Sequence, residues 1–121
     1  MGLDMYAYAA NKTDAEAVDS NYTTQELAYW RKHPNLHGWM ERLAKSKQVE
    51  YNTFNGVELE LTYDDILLLE DDVKNGRLPS TTGFFFGTPA DDYYLQQDLE
   101  FIKNAKAELF LGLRVFYNSS W

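Results

Sequence analysis

Arg31, Lys32, His33 and His37 crowd around Pro34, with the indole rings of Trp30 and Trp39 to either side. Cationic groups, a titratable imidazole and two stacking surfaces are what a site for a small anionic planar ligand, such as a nucleotide, requires. Ordinary structural duties account for the same residue types, with Arg31 and Lys32 complementing the carboxyl end of a helix and the tryptophans filling a core. Asp4 is the second candidate, because a carboxylate in an otherwise apolar opening segment is buried only with a partner. It could orient His37 or pair with Arg31, a carboxylate–imidazole–guanidinium grouping used in acid–base chemistry, or simply accept backbone hydrogen bonds. With Tyr117 from the end of the chain, the candidate ligand-binding set is Asp4, Trp30, Arg31, His37, Trp39 and Tyr117.

The remaining motifs argue against a catalytic centre. There are no cysteines, which excludes disulfides, thiolate metal sites and cysteine nucleophiles. His33 and His37 lack the intervening Glu of a zinc-binding helix, and the acids Glu58, Glu60, Asp64 and Asp65 lack the spacing of a calcium loop. Those acids, with Glu70, Asp71, Asp72, Asp91 and Asp92, read as solvated surface. Gly83 and Gly87 bracket phenylalanines without the Lys of a phosphate loop, and Ser119 and Ser120 have no nucleophile-elbow motif around them. No metal or cofactor is expected, and the balance leans away from an enzyme.

Charge narrows the partners. The chain carries 11 basic and 19 acidic residues, net -8, and the excess lies beyond residue 50. A broad cationic surface for nucleic acid is therefore disfavoured, since backbone affinity comes from neutralising phosphates. The local exception is Arg31 to Lys47, where Arg31, Lys32, Arg42, Lys45 and Lys47 face one acid, Glu41. No stretch reaches the roughly 18 apolar residues of a membrane span, and the opening residues lack a signal-peptide layout, so a cytoplasmic protein is expected.

Elements that would position these residues follow from spacing. Leu3, Met5, Ala7 and Ala9 alternate with Asp4, Tyr6 and Tyr8, which predicts a strand, and Asn11 to Asn21 reads as a loop. Thr23 with Glu26 forms a capping-box pattern that predicts a short helix ending near Lys32, ahead of Pro34. Pro34 can open a second helix whose Leu36, Trp39, Met40 and Leu43 share one face, although Gly38 weakens it. Asn52 to Gly56 is a turn, and Val57, Leu59 and Leu61 alternate with acids in a strand. Thr62 caps a helix from Tyr63 to about Asn75, stopped by Gly76. Leu78 to Thr82 is a loop, and Gly83 to Gly87 encloses Phe84, Phe85 and Phe86 in a buried strand or packed loop. Thr88 and Pro89 start a long helix to about Leu111 with Leu95, Leu99, Ile102 and Leu109 inward, and Leu113, Val115 and Tyr117 mark a last strand.

The order β-α-α-β-α-β-α-β predicts one α+β or α/β domain over residues 1–121, helices on a small mixed sheet of about four strands. The apolar, aromatic ends argue that both end segments belong to that sheet.

The opening Gly2-Leu3-Asp4-Met5-Tyr6, the segment Tyr29-Trp30-Arg31-Lys32 with His37 and Trp39, the run Thr82 to Gly87 and the closing Tyr117 to Trp121 together resemble a family of small uncharacterised bacteriophage and prophage proteins. The resemblance covers most of the chain and implies viral origin and the host cytoplasm, with no activity attached. The leading expectation is an accessory protein that binds a host or viral protein, aromatic side chains supplying the contacts. The alternative is a pocket or enzyme for a nucleotide or other small anion built on Arg31, His37 and aromatic residues. Recognition of nucleic acid through residues 31–47 ranks third. Composition does not fix the oligomeric state.

Overall fold

Alternation in the opening segment becomes strand β1, Asp4–Ala10, in the computed structural model of the chain, which describes residues 3–10, 24–31, 33–79 and 91–121. Leu3, Met5, Ala7 and Ala9 are buried, while Asp4, Tyr6 and Tyr8 on the other face are only half-buried. Along the chain follow β2 (Thr24–Arg31), α1 (Pro34–Ser46), β3 (Leu59–Leu61), α2 (Tyr63–Lys74), α3 (Asp91–Phe110) and β4 (Arg114–Ser120). The strands form one four-stranded sheet in the order β2-β1-β4-β3. Strands with helices laid against one sheet face make this an α+β fold.

Every pairing among the described residues is antiparallel, where a mixed sheet was expected. β1 is central. Its Asp4 lies across from Arg31 on one side and Ser120 on the other, and its Ala7 across from Ala28 and Tyr117. A register shift between Ala7 and Tyr8 marks an irregularity opposite Leu27, so that Leu27 and Ala28, neighbours in sequence, both pack against the core.

Strand β2 overturns the helix expected from Thr23 to Lys32. A helix stopped by Pro34 would be too short to hold itself together, and the Tyr29-Trp30 pair favours the pleated conformation. Pairing with β1 supplies a full ladder and buries Trp30 almost completely, at 1% exposure. The structural role proposed for Arg31 and Lys32, neutralising a helix end there, falls with that helix. The outer rim of β2 is covered by α3: the Tyr94 hydroxyl donates to the Arg31 carbonyl and the Gln97 amide to the Tyr29 carbonyl.

The other helices keep to their signals. α1 starts with Pro34 in its first turn and buries Leu36, His37, Trp39, Met40 and Ala44. α2 has a complete capping box: Thr62 Oγ1 accepts the Asp65 amide at 3.2 Å, and Asp65 Oδ2 accepts the Thr62 amide at 2.8 Å. Gly76, at φ +64°, takes the left-handed backbone that ends it. In α3 the buried stripe is Asp98, Phe101, Ile102 and Ala105, whereas Leu95, expected inward, is exposed. One apolar cluster joins side chains from all seven elements, among them Leu3, Met5, Trp30, Leu36, Leu59, Ile66, Ile102 and Tyr117. The expected loop at 11–21, the phenylalanine run at 83–87 and the Thr88–Pro89 helix start lie outside the described residues.

The α2 cap yields a stability prediction. Thr62→Ala strands the Asp65 amide and lowers stability by about 1 kcal/mol in urea unfolding, while Thr62→Ser retains most of it. An unchanged midpoint for Thr62→Ala would show that the box is ornamental.

Candidate functional site

The register of β1 divides the six sequence-selected residues between the two faces of the sheet. Tyr117, in β4 opposite Ala7, turns inward with no exposed surface. Its hydroxyl lies 2.7 Å from His37 Nδ1, reaching α1 across 80 residues of sequence. The Phe54 ring sits 5.1 Å from the imidazole and the Trp121 indole stands edge-on to it. Burial pushes His37 down to about 4, against the weaker opposing pull of a hydrogen bond to the Phe54 backbone. Burial likewise drives Tyr117 well above the usual tyrosine value. Both groups are therefore neutral near pH 7, and the bond between them joins two uncharged side chains. His37 is 2% exposed. An imidazole sealed in this way can order a core, and no substrate reaches it.

Trp30 points to the same inward side but at a different place. Its Nε1 donates to Asp98 Oδ1 at 2.9 Å, and His33 Nε2 lies 2.9 Å from Asp98 Oδ2. His33 stacks on Tyr94 with ring centres 4.4 Å apart, and Trp30 meets Phe101 edge to face. Asp98 thus knits β2, the start of α1 and α3 together. A carboxylate–imidazole pair is a familiar acid–base device, but here the two are 2% and 0% exposed, with the second carboxylate oxygen spent on an indole. Asp98 was absent from the sequence-derived set. Its signal was its position, four residues from Tyr94 and Ile102 on the apolar stripe of α3, where a solvated acid has no place.

Trp39 lies apart from both groups and donates its Nε1 to Asp72 on α2 at 2.8 Å. Asp4 and Arg31 are register partners on the outward face, on the far side of the sheet from His37. Asp4 Oδ1 accepts the Tyr29 hydroxyl at 2.8 Å, a bond that raises the phenol above its ordinary value. So Asp4 stands across from Arg31 in the ladder, His37 meets Tyr117, and the six do not line one cleft. Within the basic stretch, Lys47 is committed to Asp65 and to the Glu60 carbonyl, and Lys32 lies outside the described residues.

What the outward face offers instead is aromatic. Tyr6 packs against Tyr29 with ring centres 5.3 Å apart, and Tyr8 stacks on Phe116 at 5.6 Å. Arg114 covers Phe116 and forms a two-pronged pair with Glu60 at 2.7 and 2.8 Å. Between the two aromatic pairs a cleft of about 450 Å³ crosses β1, lined by Tyr6, Tyr8, Glu26, Gly56, Asn118 and Ser120 among others. Its size falls within the range of small-ligand sites. No group of three or more His, Cys, Asp or Glu side chains suited to a metal occurs among the described residues. No described helix is long and apolar enough to cross a membrane.

Two measurements check the inward assignments. Asp98→Ala leaves an indole N–H and a buried imidazole without their acceptor, and should cost about 3–5 kcal/mol of stability by chemical denaturation; a loss below about 1 kcal/mol would contradict it. For His37, the unfolded chain takes up its proton near 6.5 and the folded chain only near 4, so between these values the unfolded state holds more protons. Its contribution is complete above pH 6.5 and is lost as pH falls toward 4, by about 3 kcal/mol in all. The slope of stability against pH over that window should flatten in His37→Asn relative to the native chain; parallel curves would refute the assignment.

No protein family, curated protein or solved structure matches the chain.

Proposed function

We propose that this chain is a small phage-type accessory protein that works by binding another protein, with the outward sheet face as its contact surface. The observation that carries this reading is the contrast between the faces. The titratable groups on the inward side are closed off, whereas the outward side presents half-buried Tyr6 and Tyr8 and a 41%-exposed Tyr29 beside charged residues. Tyrosines of this kind, rigid and amphipathic, are enriched where proteins meet. Partly exposed rings on the ordered strands of a sheet also make a rigid surface for docking.

The small-anion reading draws less support. Among the described residues the lining of the outward cleft includes no Lys or Arg, and Arg31 stands opposite a carboxylate-bearing residue, Asp4, in the ladder. Anion recognition calls for converging donors and positive charge.

Immobilised protein should capture a stoichiometric partner from bacterial lysate. The Tyr6→Ala/Tyr29→Ala double variant should lose that partner, while Leu68→Ala on the exposed side of α2 should keep it. Equal capture by the double variant, or the same proteins on an acidic control of matched size, defeats the proposal.

A further inference from the structure

We infer that the cleft between Tyr6 and Tyr8 receives the guanidinium or ammonium group of a basic segment on the partner, an inference that rests on the docking role of this face. Four observations converge on a cation. The lining carries the carboxylate of Glu26 and the amide and hydroxyl oxygens of Asn118 and Ser120, with no basic side chain among the described residues. Among the described residues, carboxylates also outnumber cations on the surrounding face: Asp4, Glu26, Glu60 and the Glu58 bonded to Tyr8 against Arg31 and Arg114, with Arg114 already held by Glu60 through two bonds.

The third observation concerns the rings. Tyr8 donates its hydroxyl to Glu58, and Tyr29 donates to Asp4. A phenol that shares its proton with a carboxylate is richer in electrons across its ring, which strengthens attraction for a cation over the face. The fourth is shape. The cleft is long enough to cross from β2 to β4 and holds about 450 Å³, room for a long basic side chain with part of its backbone. Tyr6, which lines the cleft, packs against the exposed Tyr29 ring beyond it, and neighbouring residues of a peptide can rest there. A free amine would use only the cleft, whereas a peptide uses both.

The test is a ¹⁵N-NMR titration of the full chain with a capped pentapeptide, acetyl-Gly-Ser-Arg-Ser-Gly-amide, alongside the same peptide bearing citrulline or Glu in place of Arg. The arginine peptide should shift amides around Tyr6, Tyr8, Glu26 and Asn118. Citrulline, equal in shape but uncharged, should bind about tenfold more weakly. Glu26→Gln should weaken the arginine peptide roughly threefold, and Glu100→Gln on the exposed side of α3 should leave it unchanged.

Equal affinity for citrulline, indifference to Glu26→Gln, or shifts spread over the whole acidic surface would overturn the inference. Methylguanidine giving the same shifts with the same affinity would overturn the commitment to a peptide. A partner captured through Tyr6 and Tyr29 without arginine preference removes this inference and leaves the docking role standing. Arginine-selective binding alongside failed capture removes the docking role, and with it the assignment of the cation to a protein.

Discussion

The register of β1 between β2 and β4 is the constraint on which the rest of the molecule depends. A strand has a side-chain period of two, so a slip by one residue would send Asp4, Tyr6 and Tyr8 into the core and Met5 and Ala7 into solvent. As paired, Met5 lies between Trp30 and Ser119, and Ala7 between Ala28 and Tyr117. Small Ala7 at the centre leaves space for the large Tyr117 and the helix side chains above it. The same register lines up Asp4 with Arg31 and Tyr6 with Tyr29 on the other side, so core and candidate surface are two readings of one ladder.

Legibility in the sequence followed how local the determining interaction was. α2 was readable because its start and stop are written within a few residues: Thr62 and Asp65 cap each other, and Gly76 reverses the backbone. The strand at β1 was readable from its parity, and the proline-opened helix α1 from the common face of Leu36, Met40 and the indole between them. β2 was misread because Thr23 and Glu26 fit a helix-start pattern whose competitor, a ladder with residues some twenty positions earlier, is invisible locally. The α+β class survived this error because one helix exchanged for one strand still leaves helices laid against a small sheet.

The site was less legible than the fold. His37 and Tyr117 were both singled out, yet their contact depends on β4 lying beside β1, a pairing set by the fold as a whole. Asp4 and His37 look equally suited to partner each other until strand parity sends one outward. Asp98 was not singled out, and only the indole of Trp30 and the imidazole of His33, 68 and 65 residues away, explain a carboxylate at that depth. Chemistry-bearing residue types could be selected from the chain. Which of them meet across the fold could not.

The outer rim of β2 carries a consequence of its own. An uncapped edge beside an aromatic face would be an invitation to grow: another molecule's strand could continue the ladder, and sheets could lengthen into fibril-like stacks. By occupying the Arg31 and Tyr29 carbonyls, Tyr94 and Gln97 remove part of that template. Two carbonyls of that rim are thus already engaged within the molecule, which leaves another strand fewer groups to pair with.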